Sequence, residues 1–284
     1  MVVFTVFSHQ VKQYLTVSMR RKYIVRYILN ILIAFLFCVG GTLSAHAALD
    51  DGLILYFGFD YETGGSVIDG TGEGHDGTLT NASINTDEKK VGNGSLEMLD
   101  QNASLQVESF PELEEYQDNS FVFWLHFIQG HNGAWSQIFA KKAPGSDRSP
   151  GVWTCPNSLN IHYRFNPGNQ GSQCAGPGGE DQQFETGKWH HIAGVKAGGK
   201  FHFYIDAIQV GEYDVPAAHA QGEEKLYIGS TTYRSATFYI DDFFLFNRAL
   251  SGNEVSDIME GLLTSVEPQN KLTTTWGILK TQRD

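Results

Sequence analysis

Short hydrophobic runs, separated by residues that form turns, follow one another through most of this chain of 284 residues. The runs are rich in Val, Ile, Phe and Tyr, which favour the half-buried surface of a β-sheet. In KFHFYID (200–206), Phe201, Phe203 and Ile205 alternate with residues that carry polar groups. This alternation is the two-residue period of a strand, in which successive side chains face opposite sides. The pattern predicts strands in nine segments: GLILYFGF (52–59), SLQVESF (104–110), SFVFWLHFI (120–128), SQIFAKK (136–142), SLNIHYRF (158–165), KWHHIAGVK (188–196), KFHFYIDAIQVGEY (200–213), KLYIGS (225–230) and ATFYIDDFFLFNRAL (236–250).

One helix is expected, and it follows the last predicted strand. ALSGNEVSDIMEGLL (249–263) places Ser251 and Glu254 in the S-x-x-E spacing of a capping box. Val255, Ile258 and Met259 then form an apolar stripe, so this short C-terminal helix should lie across the edge of the sheets. Many short strands with no helices between them predict an all-β domain, either a sandwich or a barrel.

The N-terminal segment has a different pattern. A basic cluster at 20–22 precedes an apolar run at 28–39, and Ala45-His46-Ala47 has the A-x-A form of a cleavage site. This is the layout of a secretory signal peptide, for which Met19 is an alternative start. The apolar run is short for a membrane span of about 20 residues, but an uncleaved membrane anchor is the alternative.

These patterns divide the chain into three parts. We expect a signal peptide at 1–47, one domain at 48–264 and a polar C-terminal tail at 265–284. The mature protein would then be secreted or periplasmic, with no membrane span. The full chain has a net charge of −12, and loss of the five basic residues of the leader would leave −17. Such an acidic protein is a poor partner for nucleic acid.

The cysteines are consistent with export. Cys38 belongs to the leader, which leaves Cys155 and Cys174. An even pair in an exported chain usually forms a disulfide, and closing a loop of this size contributes about 3 kcal/mol in the chain-entropy description. A metal-binding or catalytic thiol is the alternative, although no CxxC motif supports it.

Three segments resemble a known family. GLILYFGFDYETGGSVIDGTGEGHDGTLTN (52–81) is similar to the opening strand and D-x-x-G-x-G-x-D-G loop of laminin-G-like, concanavalin A-like jelly-roll domains. KWHHIAGVKAGGKFHFYIDAIQVG (188–211) resembles their W-H-H hairpin, with Ala207 where Gly is usual. YIDDFFLFNRALSGNEV (239–255) resembles their last strand and closing helix. The resemblance implies a two-sheet antiparallel jelly-roll sandwich, a fold that hosts several functions.

Aspartates at loop–strand junctions make calcium a candidate ligand. Asp60, Asp69, Asp76, Asp241 and Asp242 lie at such junctions, and Ca²⁺ prefers carboxylate and carbonyl oxygens. The alternative is that these side chains accept hydrogen bonds from turn N–H groups. In related domains a calcium ion joins the first loop to the last strand.

The resemblance therefore implies a structural Ca²⁺ site formed by Asp60, the backbone near His75, and Asp241 or Asp242. Neighbouring residues on a strand face opposite sides, which leaves open which member of the pair points inward.

The histidines of the W-H-H motif suggest zinc, but their spacing favours a structural role. His190 and His191 are adjacent in a predicted strand and should face opposite sides, which makes it difficult for them to share one ion. Trp189, Ile192 and Phe201 are expected to pack in the core or at its rim.

Aromatic residues in or near loops are the candidates for binding carbohydrate. Trp135, Trp153, Tyr163, Arg164 and Tyr233 combine aromatic faces with hydrogen-bonding groups. The alternative is that the tryptophans fill the core or cover its edge.

The most favoured function is an exported, non-catalytic module that binds carbohydrate or another extracellular ligand. The first alternative is an adhesive or structural protein that binds other proteins through the sandwich and tail. The second is a glycosidase or lyase, although no E-x-D-x-x-E, G-x-S-x-G or H-E-x-x-H pattern is present in the sequence.

Overall fold

A computed structural model describes residues 49–115, 117–142, 147–168, 170–171, 174, 184–218 and 222–263. The expected signal peptide at 1–47 and the expected tail at 265–284 lie outside the described residues. All the elements below belong to the unit that begins at Gly52.

The described secondary structure is mostly strand. In chain order the strands are β1 (Leu53–Phe57), β2 (Ser66–Val67), β3 (Gly77–Thr80), β4 (Ser83–Asn85), β5 (Ser95–Met98), β6 (Ser104–Val107), β7 (Asn119–Phe127), β8 (Ser136–Lys141), β9 (Gly151–Thr154), β10 (Ile161–Phe165), β11 (Gln170–Gly171), β12 (Trp189–Ala197), β13 (Lys200–Ile205), β14 (Ile208–Asp214), β15 (Leu226–Gly229), β16 (Arg234–Ser235) and β17 (Phe238–Phe246). Two helices are described, α1 (Pro111–Glu115) and α2 (Gly252–Met259).

Within the described residues the strands form two sheets. The eight-stranded sheet has the order β14-β13-β12-β7-β17-β5-β4, and β1 pairs with β17. The nine-stranded sheet has the order β11-β10-β9-β8-β15-β6-β3-β2, and β16 pairs with β8. The ladders between consecutive strands in these orders are antiparallel, whereas β16 and β8 are parallel. The expected all-β, two-sheet antiparallel jelly-roll sandwich is confirmed.

The hydrophobic core lies between the two sheets. Phe201 and Phe203 of β13 are buried, as the two-residue period predicts. Tyr163, from β10 of the opposite sheet, places its ring 4.9 Å from the ring of Phe201 and 4.7 Å from that of Phe203. Ile192 of β12 is also fully buried. Tyr163, a candidate for binding carbohydrate, is therefore a core residue, because its side chain points to the inner face of β10.

The closing helix has the expected cap. The Ser251 backbone N–H donates to Glu254 Oε2 at 2.7 Å, and the Glu254 backbone N–H donates to Ser251 Oγ at 3.3 Å. Val255 and Ile258 are buried, as the apolar stripe predicts, whereas Met259 is half-buried. The five-residue helix α1 was not expected from the sequence; it begins at Pro111, a favoured first helical residue, and buries Leu113.

The hairpin between β13 and β14 keeps a two-residue turn although Ala207 replaces glycine. Asp206 and Ala207 have φ values of 51° and 60°, and Ile205 pairs with Ile208. Two consecutive positive φ values are typical of the type I′ turns that close hairpins. The Asp206 carboxylate accepts a hydrogen bond from the backbone N–H of His191 at 2.9 Å, which holds the turn against β12.

Candidate functional site

A cluster of aromatic and polar side chains lies on the outer face of the nine-stranded sheet. Val152 of β9 and Tyr163 of β10 point into the core. Because side chains alternate along a strand, Trp153, His162 and Arg164 point to the outer face. Trp153 and His162 are direct cross-strand partners in the β9–β10 ladder. Strand pairing therefore places two residues of the cluster side by side.

Two more aromatic residues complete this cluster. The Trp135 ring lies 4.6 Å from the His162 ring, and the Trp153 ring lies 5.8 Å from it. The Tyr233 ring meets the Trp153 ring edge-on at 5.5 Å. We call Trp135, Trp153, His162, Arg164 and Tyr233 the His162 cluster. The structure thus brings together four of the five residues proposed from the sequence as ligand-binding, and Tyr163 is the exception.

Exposure differs sharply within the His162 cluster. Trp135 is 37% exposed, and every residue from Gln129 to Trp135 is exposed. Trp153, by contrast, is only 2% exposed, although it lies on the outer face. Trp135 is therefore the aromatic surface that a ligand meets first, and Trp153 lies beneath the neighbouring rings. His162 was not proposed from the sequence; its position two residues before Arg164 in a strand is the signal that placed it on the same face.

Gly151 makes room for the Trp153 ring. A Cβ atom at this position would overlap the Trp153 ring and the backbone carbonyl oxygen of Asp147. The indole therefore lies over the bare backbone of β9. A small residue is required two positions before this tryptophan on the same face of the strand.

Buried polar groups hold the segment that carries Tyr233. The Thr231 hydroxyl lies 3.1 Å from Asp147 Oδ2 and 3.1 Å from Gln137 Oε1. Gln137 also donates through Nε2 to the backbone oxygen of Val152 at 2.9 Å. The backbone N–H of Tyr233 donates to Thr231 Oγ1 at 3.3 Å. These contacts join the Tyr233 segment to β8 and β9.

Two guanidinium groups lie at the His162 cluster. Arg164 Nε donates to His162 Nε2 at 3.0 Å, and the Arg148 guanidinium lies 5.7 Å from the Trp153 ring. Burial lowers the pKa of His162 to about 3, and the charges of Arg164 and Arg148 act in the same direction. Burial also lowers the pKa of Arg164, as does its neighbour Arg148. The His162 ring is therefore neutral at physiological pH.

A second cluster lies on the outer face of the eight-stranded sheet. Trp189 Nε1 donates to Glu88 Oε1 at 2.7 Å, and His126 Nδ1 lies 3.3 Å from the same oxygen. The His126 ring lies 5.2 Å from the Trp189 ring and 5.4 Å from the Tyr239 ring. We call Glu88, His126, Trp189 and Tyr239 the Glu88 cluster. It combines aromatic faces with a carboxylate instead of guanidinium groups.

The two histidines of the W-H-H motif face opposite sides, as their spacing predicts. His190 Nδ1 lies 2.9 Å from Asp206 Oδ2, and its ring meets the core residue Phe184 edge-on. The His191 ring lies 5.0 Å from the ring of Trp124, on the other side of the sheet. Each ring therefore has its own packing partner.

The aspartates proposed as calcium ligands have different environments. Asp241 accepts hydrogen bonds from three backbone N–H groups, those of Lys90, Val91 and Asp242, each at 2.9 Å. Asp242 accepts from the Tyr56 hydroxyl at 2.8 Å. Both carboxylate oxygens of Asp241 therefore accept hydrogen bonds, and two of these bonds hold the backbone at 90–91.

Asp60 and Asp242 are the pair that better fits a cation. Asp60 Oδ1 accepts from the backbone N–H of Asn93, and Oδ2 of Asp60 and of Asp242 has no donor among the described residues. Burial raises the pKa of Asp242 to about 6; the charge of Asp60 contributes to this rise, and the hydrogen bond from Tyr56 opposes it. In the part of the chain that the structure describes, no group of three or more His, Cys, Asp or Glu side chains forms a metal-binding cluster.

The opening glycine-rich loop is organised by Asp69. The backbone N–H groups of Tyr56, Thr71 and His75 donate to its carboxylate at 3.0–3.2 Å. Asp76 in turn accepts from the backbone N–H of Asp69 at 2.9 Å. Asp69 and Asp76 therefore stabilise this loop by accepting hydrogen bonds from backbone N–H groups. The His75 ring stacks on Phe110, with centroids 3.7 Å apart.

Cys155 and Cys174 form a disulfide, as their pairing in the sequence suggested. Cys155 directly follows β9, and the Cys174 backbone oxygen accepts from Asn160 Nδ2 at 3.3 Å. The bond therefore fixes the end of the β9–β10 hairpin that carries Trp153 and His162. Among the described helices, none has the length and apolar character needed to cross a membrane.

Comparison with known proteins agrees with the fold. The family model Laminin_G_3, described as the concanavalin A-like lectin/glucanases superfamily, matches residues 99–256. No curated protein matches the sequence.

Several solved structures share the fold at low sequence identity. Domain 4 of AbnA, an extracellular GH43 arabinanase from Geobacillus stearothermophilus in complex with arabinotriose, is 17% identical with a TM-score of 0.56, covering 73% of this chain and 98% of that one. The botulinum neurotoxin serotype D binding domain is 15% identical with a TM-score of 0.53, covering 75% and 53%. A Trypanosoma rangeli sialidase in complex with sialic acid is 14% identical with a TM-score of 0.56, covering 77% and 34%. The chain thus spans about half the length of the toxin binding domain and a third of the sialidase.

Proposed function

The chain belongs to the concanavalin A-like lectin/glucanases superfamily, and we propose that it is a non-catalytic module that binds carbohydrate through the His162 cluster. The observation that carries this proposal is the convergence of four residues from separate segments around one histidine. An exposed indole beside guanidinium, imidazole and phenol groups offers the combination of apolar face and fixed hydrogen-bonding groups that small-ligand sites use.

The solved relatives support a binding role. The AbnA domain in complex with arabinotriose aligns over 98% of its own length, so its whole domain corresponds to most of this chain. The toxin binding domains share the same sandwich. Since these likenesses are at 13–17% identity, they support the fold, and the His162 cluster supports the site.

The disulfide supports a location outside the cytoplasm. Structural disulfides persist in oxidising compartments and are rare in the cytosol. We therefore place the module in the extracellular space or the periplasm, to which the signal-like leader would direct it.

Replacement of Trp135 by Ala should weaken glycan binding about tenfold or more, because the exposed indole is the surface on which a sugar ring would stack. A glycan array selects the ligand, and isothermal titration of the purified protein gives its Kd. Trp189→Ala is the matched control, since it removes an indole from the opposite sheet.

Three results would contradict this assignment. Unchanged affinity in Trp135→Ala together with a loss in Trp189→Ala would move the site to the Glu88 cluster. Binding to cell-surface proteins without any glycan would favour the adhesive alternative. Release of sugar during the titration, abolished by Glu88→Gln, would identify an enzyme.

We also propose a structural calcium ion beside Asp60 and Asp242. Two carboxylate oxygens without donors, on residues near enough for the charge of Asp60 to raise the pKa of Asp242, support this proposal. Backbone carbonyls and water would supply the remaining oxygens that Ca²⁺ requires. Asp241 would act indirectly, by holding the backbone at 90–91.

Calcium should therefore raise the midpoint of thermal unfolding, and excess chelator should reverse the shift. A ligand present at a hundredfold excess over its Kd stabilises the folded state by about 2.7 kcal/mol. Asp60→Asn should remove the shift while keeping the acceptor for the Asn93 N–H. Asp214→Asn, at an exposed carboxylate paired with Lys200, should keep it. Identical unfolding with calcium and with chelator would exclude the site.

A further inference from the structure

Three buried nitrogen atoms around the His162 cluster lack an acceptor. Trp153 Nε1, His162 Nδ1 and Arg148 Nε are shielded from solvent and have no hydrogen-bond partner among the described residues. Buried polar groups are normally paired, and each unpaired one costs about 1–3 kcal/mol. Three such atoms around one pair of neighbouring strands are therefore an unusual concentration.

All three atoms are donors. Arg164 Nε can only donate, so His162 Nε2, 3.0 Å away, must be the acceptor. A neutral imidazole that accepts at Nε2 carries its proton at Nδ1. The indole of Trp153 and the guanidinium of Arg148 have no acceptor capacity at all. The site therefore offers three donors to a group that accepts hydrogen bonds.

The charge of Arg148 also favours a negatively charged group that accepts hydrogen bonds. Arg148 forms no ion pair with any carboxylate in the described residues, and the neighbouring Asp147 lies 3.5 Å from Lys142. Arg148 and Arg164 are close enough for each to oppose the charge of His162, and Arg148 opposes that of Arg164. Arg148 therefore contributes a positive charge beside Trp153 that no carboxylate among the described residues pairs with.

We propose that the His162 cluster, together with Arg148, binds the carboxylate or sulfate group of an acidic sugar. This inference rests on the proposed carbohydrate-binding function and specifies its ligand class. A carboxylate or sulfate group only accepts hydrogen bonds, so it matches an all-donor site, and guanidinium groups bind such planar or tetrahedral anions with two parallel N–H groups. A sugar hydroxyl, which also donates, would leave the charge of Arg148 without a counter-charge among the described residues.

Access to the buried donors involves Trp135. Its ring covers His162, yet it belongs to an exposed segment, 129–135. The guanidinium groups of Arg148 and Arg164, which are half-buried, would meet the anion first. A small shift of the Trp135 ring would expose His162 Nδ1 to the anion, and the indole would then pack against the sugar ring.

The test compares polymers that differ only in charge. Polygalacturonate and its methyl-esterified form have the same backbone, so this pair tests the carboxylate. Chondroitin carries carboxylates and chondroitin sulfate carries sulfates in addition, so the second pair tests the sulfate. We expect at least tenfold tighter binding to polygalacturonate than to its ester, or to chondroitin sulfate than to chondroitin, with affinity that falls as salt is raised. Arg148→Gln should abolish this preference, and Arg148→Lys should retain part of it, since lysine keeps the charge without the planar fork.

Lys200→Gln is the control variant, because it removes one positive charge from the other sheet, where Lys200 pairs with Glu212 and Asp214. Equal affinity for charged and neutral polymers would overturn the inference and leave the proposed function intact. Binding to no polymer would overturn both. An equal loss in Lys200→Gln and Arg148→Gln would reveal general electrostatic attraction and would also overturn the inference.

Discussion

When the pH falls from 7 to 5, the free energy of unfolding should fall by about 2 kcal/mol less in the His162→Gln variant than in the unmodified protein. Burial lowers the pKa of His162 to about 3 in the folded protein. In the unfolded chain a histidine takes up a proton below about pH 6.5, and each unit of pKa difference corresponds to about 1.4 kcal/mol. The contribution of the neutral, buried His162 to the free energy of unfolding is therefore fully present above pH 6.5, and it is lost progressively as the pH falls toward 3.

Urea unfolding at pH 7 and pH 5 measures this effect as a difference between two proteins. The comparison is necessary because burial raises the pKa of Asp242 to about 6 and that of Asp241 to about 7, so these residues favour the folded state as the pH falls. Their contribution is common to both proteins and cancels. His191→Gln should behave like His162→Gln, since burial lowers the pKa of His191 to about 4.

His131→Gln, at an exposed position, should keep the acid response of the unmodified protein. The same acid response in His162→Gln as in the unmodified protein would mean that the imidazole is protonated or solvated in the fold. His162 Nε2 would then no longer accept the hydrogen bond from Arg164, and the assignment of the free ring nitrogen as a donor would fail.

Gly151→Ala is expected to destabilise the fold by about 2 kcal/mol and to abolish glycan binding. The added methyl group would overlap the Trp153 ring and the carbonyl oxygen of Asp147. Forcing extra volume into a packed position costs about 1–3 kcal/mol. The indole can relieve the overlap only by leaving the sheet, which separates it from His162 and Tyr233.

Chemical denaturation and titration of the same samples test both parts of this prediction. Gly199→Ala is the matched control, because the nearest atom to an added Cβ there is the Val215 backbone oxygen at 3.7 Å. It should fold and bind normally. Normal affinity in Gly151→Ala would show that the position of Trp153 is not part of the binding surface.

The strands with a clear two-residue period could be predicted from the sequence, and so could the capped helix. The short strands β2, β3, β4, β5, β9, β11 and β16 could not, because segments of two to four residues are defined by the partners they pair with. The pair Asp241–Asp242 shows a similar limit. A simple strand would place them on opposite faces, but a bulge with Asp242 at φ 46° leaves both buried.

The candidate site was predicted in part. Trp135, Trp153, Arg164 and Tyr233 were identified by residue type, since aromatic and guanidinium groups in loops are typical of ligand sites. Their meeting around His162 depends on the register of β9 and β10, which pairs Trp153 with His162. Residue type alone could not indicate Arg148, because its role depends on a guanidinium lying beside Trp153 with no ion-pair partner among the described residues.

The most direct test of the carbohydrate site follows the indole N–H groups by nuclear magnetic resonance during a glycan titration. The chain has five tryptophans, and Trp→Phe variants assign their indole signals. Binding at the His162 cluster predicts that the signals of Trp135 and Trp153 shift and saturate together, with Trp153 moving strongly as its N–H gains an acceptor. The signals of Trp124 and Trp189, on the opposite sheet, should stay in place. Saturable shifts confined to Trp124 and Trp189 would contradict the assignment of the site.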